Sequence, residues 1–228
     1  MNKNLLSTNL YWNKYNISKN KLTKKIINFN RKYSYNFLEK EHFNHTRDII
    51  ALSLVTLKKN KKKINVLDYG SNLLTLSNFK NKINIKDFKF LIYDPFYNQK
   101  IKKIKIKELN YEITNKIKNV HRKSYDIINF ASSIQYQNNF LIDLEKFNFS
   151  KTKKIVITYT PFSLGKSYLS KQSNHLNLTQ KVFSLKKIIS KFKILGFNLI
   201  FKSRNQNKFI ACKSIKYKTL SLNIVFSK

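Results

Sequence analysis

An acid and a glycine end an apolar run in the first third of the chain. Residues 63 to 72 read KINVLDYGSN, so Asp68 and Gly70 directly follow an aliphatic and β-branched stretch. Glycine adopts positive φ and lets a ligand approach the backbone, so this pattern predicts a strand, a tight turn and a helix start. Such geometry is typical of a nucleotide pocket in an open α/β sheet.

A second acid follows at the distance that such a pocket requires. Residues 88 to 96 read FKFLIYDPF, which predicts a second strand stopped by Pro95. Asp94 lies 24 residues after Gly70, where a βαβ unit places a carboxylate beside the ribose hydroxyls of an adenosine cofactor. The alternative is that an aspartate before proline simply forms a turn.

Small polar residues end a later strand. Residues 125 to 136 read YDIINFASSIQY, an apolar stretch that ends at Ser132 and Ser133. This ending leaves room for a ligand at the carboxyl edge of the sheet. Residues 154 to 162 predict a further strand that Pro161 closes, followed by a polar loop from 163 to 179. Substrate groups usually lie against loops in this position.

These pieces require a framework of helices and strands around them. Apolar spacing predicts a helix at about 39 to 59, a short one at 73 to 79, a helical face at 140 to 147, and a helix from Ser184 to Leu195 that Gly196 ends. Residues 101 to 109 fit either an edge strand or a loosely packed helix. Two strands, 197 to 201 and 208 to 212, are predicted around a polar turn at 203 to 207, and the tail from 220 to 226 is a candidate for another. The predicted organisation is an N-terminal extension, 1 to 40, and one α/β domain, 41 to 228.

The chain is strongly basic, with 46 Lys and Arg against 11 Asp and Glu. Such a charge suits an anionic partner such as nucleic acid. Only four of the cations are arginine, the better residue for recognising phosphates and bases. Because Asn, Ile, Phe and Tyr are also abundant, much of the lysine is attributed to A/T-rich codons. A solvated lysine surface is therefore favoured over nucleic-acid binding.

Two classes of protein are not expected from the sequence. The single cysteine, Cys212, allows no disulfide within the chain and lies in an apolar stretch typical of a core. No segment has the length and apolarity of a signal peptide or a membrane span. We therefore expect a cytoplasmic protein.

The order of these parts resembles that of the class I S-adenosylmethionine-dependent methyltransferases. More narrowly, four features are similar to methyltransferases of bacterial surface-polysaccharide gene clusters: VLDYG at 66 to 70, SSIQY at 132 to 136, TPF at 160 to 162, and Gln172. The resemblance covers roughly residues 40 to 212. It implies a Rossmann-like fold, with a mostly parallel sheet, an antiparallel last strand and helices on both faces.

The resemblance also implies the site residues. Asp68, Gly70 and Ser71 match the cofactor loop, Asp94 matches the ribose-binding acid, and Ser132 and Ser133 match the segment near the methyl donor. Gln135, Tyr136 and Gln172 are the implied substrate residues. The loop departs from the family because Asn72 and Leu74 occupy positions that are usually glycine, and a Cβ there can block close approach of the cofactor.

The implied chemistry is transfer of a methyl group from S-adenosylmethionine to a glycan or small-molecule acceptor. His175 is the best placed candidate for a general base, with Tyr159 as a weaker orienting group. No metal is implied. Two alternatives stay open: a non-catalytic binding module of the same fold, and a methyltransferase of RNA.

Overall fold

The computed structural model describes residues 45–58, 63–70, 83–95, 110–137, 139–171, 179–205 and 218–228. The helices in these ranges are α1 His45–Lys58, α2 Ile117–His121, α3 Phe140–Asp143 and α4 Leu185–Ile194. The strands are β1 Ile64–Tyr69, β2 Phe88–Tyr93, β3 Asn110–Thr114, β4 Ile127–Ala131, β5 Lys154–Ser163, β6 Tyr168–Lys171, β7 Thr179–Ser184, β8 Asn198–Asn205 and β9 Thr219–Ser227. Single 3-10 turns lie at Ile85–Asp87, Ile134–Tyr136 and Leu144–Lys146.

The main sheet has the strand order β3, β2, β1, β4, β5, β9, β8. The first five strands are parallel, and β9 inserts antiparallel between β5 and β8. The order reverses direction between β1 and β4, which places the switch point of the sheet beside Asp68 and Gly70. The predicted mostly parallel α/β sheet with an antiparallel last strand is confirmed.

The two faces of the sheet bury separate hydrophobic clusters, because side chains alternate along each strand. One cluster includes Leu67 and Tyr69 of β1 and packs under α2, α3 and α4. The other includes Val66 and packs under Ile50 and Leu54 of α1. Both faces of the central strands are buried, which explains why these strands read as continuous apolar runs.

Strand β5 is longer than the sequence predicted. It passes through Pro161 and ends at Ser163, with a register shift against β9 between Ile157 and Thr160. Proline is tolerated at bulges and on strand edges, where the ladder does not need its N–H. The last residue of β5 that pairs with β4 is Thr158, so Pro161 lies beyond that ladder.

The predicted polar loop at 163 to 179 is wrong for its described part. Strands β6 and β7 pair antiparallel, and Phe183 of β7 pairs parallel with Phe162 of β5. Strand β7 therefore takes the place beside β5 that β4 leaves. It also packs against the 3-10 turn at Ile134–Tyr136, so this hairpin lies against the carboxyl edge of the sheet.

The predicted helix from Ser184 is confirmed. Ser184 is extended and α4 follows it, while Gly196 with φ of +83° ends the helix. The predicted turn is wrong for Ser203 to Asn205, because β8 continues through these residues. The C-terminal tail forms β9, the strand that pairs with β8. The predicted elements at 73–79, 101–109 and 208–212 lie outside the described residues. In the described part of the chain, no helix has the length and apolarity needed to cross a membrane.

Candidate functional site

Gly70 and Asp94 lie side by side at the carboxyl ends of β1 and β2. Tyr69 pairs with Tyr93, and the Gly70 N–H donates a 2.7 Å hydrogen bond to the Tyr93 carbonyl. Gly70 has φ of +74°, a conformation that glycine adopts without a Cβ clash. The Asp94 N–H donates to the Thr114 carbonyl at 3.0 Å, and Gly70 and Asp94 are both half-buried. The structure thus brings the two predicted cofactor residues together.

Asp68 is buried beside this edge, where Asn129 of β4 donates to it. The Asn129 Nδ2 to Asp68 Oδ1 distance is 2.7 Å, and the two residues are in register on adjacent strands. Asp68 and Asn129 are each 1% exposed. A carboxylate oxygen accepts hydrogen bonds, so this contact forces the Asn129 amide nitrogen toward β1 and its oxygen away from it.

Ser132 turns the chain away from the end of β4. Its φ is +48°, which is uncommon for a residue other than glycine. Its N–H donates to the Thr158 carbonyl at 2.8 Å, and its Oγ accepts from Gln135 Nε2 at 2.9 Å. Ser133 is fully buried, and Tyr136 is half-buried. Both predicted serines and Gln135 therefore lie at one edge of the sheet.

Four buried polar atoms, near the end of β4 and at the last β5 residue that pairs with β4, have no hydrogen-bond partner among the residues that the structure describes. They are Asn129 Oδ1, Ser133 Oγ, Gln135 Oε1 and Thr158 Oγ1, which together we call the β4–β5 polar cluster. Each buried polar group left unpaired costs ~1–3 kcal/mol. A folded domain is stable by only ~5–15 kcal/mol, so a cluster of this size indicates a site for a ligand or ordered water.

Tyr159 occupies the irregular point of β5. It lies between Ile157 and Thr160, where the register against β9 shifts, and its φ is +52°. Its N–H donates to Asn223 Oδ1 of β9 at 3.2 Å, and the Asn223 amide donates onward to Ser203 Oγ at 3.3 Å. Positive φ in an aromatic residue persists only where its surroundings hold it.

Two further tyrosines close the site toward the core. The rings of Tyr69 and Tyr93 are 4.7 Å apart, and both side chains are buried. Burial, reinforced by the neighbouring Asp94, raises the pKa of Tyr93 to about 12, and burial also raises the pKa of Tyr69. Both phenols are therefore neutral at physiological pH and can donate hydrogen bonds rather than act as bases.

Three predicted site residues, Ser71, Gln172 and His175, lie outside the described residues, as do Asn72 and Leu74. In the described ranges, no group of three or more His, Cys, Asp or Glu side chains is placed to hold a metal ion.

Sequence reasoning missed Asn129, Thr158 and Asn223. All three lie next to strongly apolar residues in buried strands. A polar residue within such a run needs a hydrogen-bond partner, and this was the sequence signal that could have identified them.

Comparison with known proteins identifies the fold. No protein-family model matches the sequence, and no curated protein matches it significantly. Solved structures do match, although at low sequence identity. One is the 1,6-didemethyltoxoflavin-N1-methyltransferase of Burkholderia thailandensis with bound 1,6-didemethyltoxoflavin and S-adenosylhomocysteine (SAH); identity is 11%, coverage is 91% of this chain and 87% of that one, and the TM-score is 0.53.

Two more matches agree with it. An S-adenosylmethionine-dependent methyltransferase from Clostridium acetobutylicum is 10% identical over 89% of this chain and 98% of that one, with a TM-score of 0.52. The N-terminal domain of EvdMO1, crystallised in the presence of SAH and D-fucose, is 7% identical over 92% of this chain and 99% of that one, with a TM-score of 0.52. The chain has the Rossmann-like fold of the class I methyltransferases.

Proposed function

We propose that the protein is an S-adenosylmethionine-dependent methyltransferase that acts on a glycan or glycan precursor in surface-polysaccharide biosynthesis. The observation that carries this proposal is that Gly70 and Asp94 directly follow the paired residues Tyr69 and Tyr93, beside the switch point of the sheet. In open α/β sheets, ligands bind outside the carboxyl ends of the strands at this point.

The residues present fit the cofactor. Gly70 has positive φ and no Cβ, so a ligand can approach its backbone. The half-buried Asp94 carboxylate can accept the hydrogens of two ribose hydroxyls. Asp68, Ser71, Ser132 and Ser133 complete the proposed cofactor residues. When bound, S-adenosylmethionine supplies an electrophilic methyl group on a sulfonium sulfur.

The chain itself contributes positioning and exclusion of water. Methyl transfer by direct displacement needs the acceptor atom in line with the sulfonium, so orientation supplies much of the acceleration. The neutral phenols of Tyr69 and Tyr93 and the rings packed behind them exclude water from the inner wall of the site. We propose His175 as the general base and Tyr159 as an orienting group, because a sugar hydroxyl reacts faster when its proton is removed.

The glycan assignment is supported by the similarity of SSIQY, TPF and Gln172 to the polysaccharide-cluster methyltransferases. Gln135, Tyr136 and Gln172 are the proposed substrate residues. Gln135 and Tyr136 lie beside β7 at the carboxyl edge of the sheet, next to Ser132. A neighbour in fold, EvdMO1, was crystallised in the presence of D-fucose, which makes a deoxyhexose a sensible first acceptor to test.

Isothermal titration calorimetry with S-adenosylmethionine tests the proposal. We expect the wild-type protein to bind, and Asp94→Asn to bind at least tenfold more weakly, because hydrogen bonds to a charged group contribute ~1.5–3 kcal/mol. Asp87→Asn is the matched control. Asp87 precedes the same strand at its opposite end and forms an ion pair with Lys58. This variant should bind like the wild type.

Absence of binding by folded protein, checked by circular dichroism, would reject the enzyme and leave a non-catalytic module. Unchanged binding by Asp94→Asn would reject the assignment of the ribose-binding acid. The RNA alternative has its own signature, a steep fall of RNA affinity with salt concentration. RNA binding that is insensitive to salt would remove it.

A further inference from the structure

Two members of the β4–β5 polar cluster, Asn129 and Thr158, lie on one face of the sheet. Asn129 lies between Ile128 and Phe130, and Thr158 follows Ile157. Ile128, Phe130 and Ile157 all belong to the hydrophobic cluster under α4. Because side chains alternate along a strand, Asn129 and Thr158 both point to the opposite face, as Asp68 does.

Asn129 and Thr158 are diagonal neighbours on this face. Ala131 pairs with Thr158, and Asn129 is two residues earlier on β4. Strand spacing and rise then place the Cα atoms of Asn129 and Thr158 roughly 8 Å apart. A hydroxyl or a water molecule between their side chains can bond to both.

The chemistry of the cluster is that of an acceptor. Asn129 must present Oδ1 to the site, because its nitrogen is committed to Asp68. Gln135 presents Oε1, because its nitrogen donates to Ser132. The Ser133 and Thr158 hydroxyls can accept as well as donate. A phosphate or carboxylate carries no hydrogen to offer these two amide oxygens, and it would also meet the buried Asp68 carboxylate.

We propose that Asn129, Gln135 and Thr158 of the β4–β5 polar cluster bind an uncharged hydroxyl group of the acceptor and select against anionic groups. The proposal rests on the proposed function and names the chemical class that this edge of the same site accepts. A neutral hydroxyl gives its hydrogen to an amide oxygen and can still accept from the Thr158 hydroxyl, whereas an ammonium group has no acceptor to offer. The anionic partners that the basic composition suits would therefore bind elsewhere on the surface.

The first test compares two buried threonines without needing a ligand. Thr158 and Thr152 are both fully buried, but Thr152 Oγ1 donates to the Tyr125 carbonyl at 2.9 Å, whereas Thr158 Oγ1 has no partner among the described residues. Valine has the shape of threonine without the hydroxyl. We expect Thr152→Val to lower the melting temperature of the free protein by roughly 2–4 °C and Thr158→Val to leave it unchanged or raise it. A fall for Thr158→Val as large as for Thr152→Val would assign Thr158 a structural role and overturn the proposal.

The second test uses saturation-transfer difference NMR. The probes are methyl glycosides of the common hexoses and deoxyhexoses, and the corresponding sugar phosphates. We expect at least one neutral glycoside to bind the wild type. The same glycoside should bind Thr158→Val at least tenfold more weakly, and it should bind Thr152→Val as tightly as it binds the wild type. Binding of sugar phosphates alone, binding of no neutral glycoside, or equal binding by both variants would overturn the proposal.

The failure of this proposal is distinct from that of the proposed function. Calorimetry with S-adenosylmethionine on Thr158→Val reports on the cofactor site, and we expect affinity within threefold of the wild type. Wild-type protein that binds a neutral glycoside but no S-adenosylmethionine would reject the methyltransferase and retain the polar cluster. Wild-type protein that binds S-adenosylmethionine but no neutral glycoside would reject the role of the polar cluster in acceptor binding and retain the methyltransferase.

Discussion

Asn223→Ala is the substitution that tests how the Tyr159 bulge is held. Asn223 is 4% exposed on β9, and its side chain bonds both to the Tyr159 N–H and to Ser203 Oγ. Alanine removes both bonds. It also takes the Asn223 acceptor away from the part-buried Tyr159 N–H, in a residue whose backbone conformation, φ of +52°, is itself unfavourable.

The expected loss of stability follows from these two contacts. A neutral hydrogen bond contributes ~1 kcal/mol, and a buried donor left unpaired costs ~1–3 kcal/mol. We therefore expect Asn223→Ala to lower the free energy of unfolding by about 2–3 kcal/mol. In urea this corresponds to a fall in the denaturation midpoint of roughly 1 M, because the slope for a protein of this size is ~2–3 kcal/mol per M.

Urea unfolding followed by circular dichroism measures the effect, with two controls. Ser203→Ala removes only the weaker contact and should cost ~1 kcal/mol or less, while Asn198→Ala changes an exposed asparagine on β8 and should stay within ~0.5 kcal/mol. The reasoning fails if Asn223→Ala costs no more than Asn198→Ala. It also fails if Ser203→Ala costs as much as Asn223→Ala, since the bond to Tyr159 would then contribute nothing.

Two further predictions concern pH and backbone conformation. The pKa of Tyr93 is raised from its ordinary 10 to about 12, so the folded state binds this proton more tightly than the unfolded state does. The stability that results from this difference is present below pH 10 and is lost as pH rises toward 12, by up to ~2.7 kcal/mol. Relative to wild type, the unfolding free energy of Tyr93→Phe should decline less between pH 9 and 11.5 in urea titrations, and parallel curves would contradict this. Gly196→Ala should lower the free energy of unfolding by about 1 kcal/mol, because residue 196 has φ of +83°, which alanine adopts only with strain. Packing adds nothing to this cost, because the new Cβ would meet only Lys228 Cε, at 3.7 Å. The melting temperature of Gly196→Ala should fall by roughly 2–4 °C. Gly165→Ala is the control, because Gly165 does not have positive φ, and its melting temperature should not fall. Equal melting temperatures for the two variants would refute the conformational argument.

The proximity of Gly70 and Asp94 could be predicted because both follow apolar strands directly. Parallel neighbouring strands end at the same edge of a sheet, so residues that follow them meet. The Gly70 to Tyr93 hydrogen bond agrees with that expectation. The helix from Ser184 to Gly196 could be predicted for a similar reason, since its apolar spacing and its stop signal are local.

Other contacts depend on strand register and could not be read from local patterns. Asn129 bonds to Asp68 across 61 residues, and Asn223 to Tyr159 across 64. The extension of β5 through Pro161 depends on where β4 stops pairing. A one-residue change of register would turn each of these side chains to the other face of the sheet.

The sequence by itself determined the strands β1, β2 and β4, the α4 helix and the glycine and acid that follow β1 and β2, because apolar periodicity and chain-breaking residues act over a few neighbours. Only the tertiary structure decided which polar side chains are buried together and which of their atoms lack partners. Asn129, Ser133, Gln135 and Thr158 are buried near one another because the chain leaves β4 where its pairing with β5 ends, and burial is a property of the packed sheet rather than of any segment.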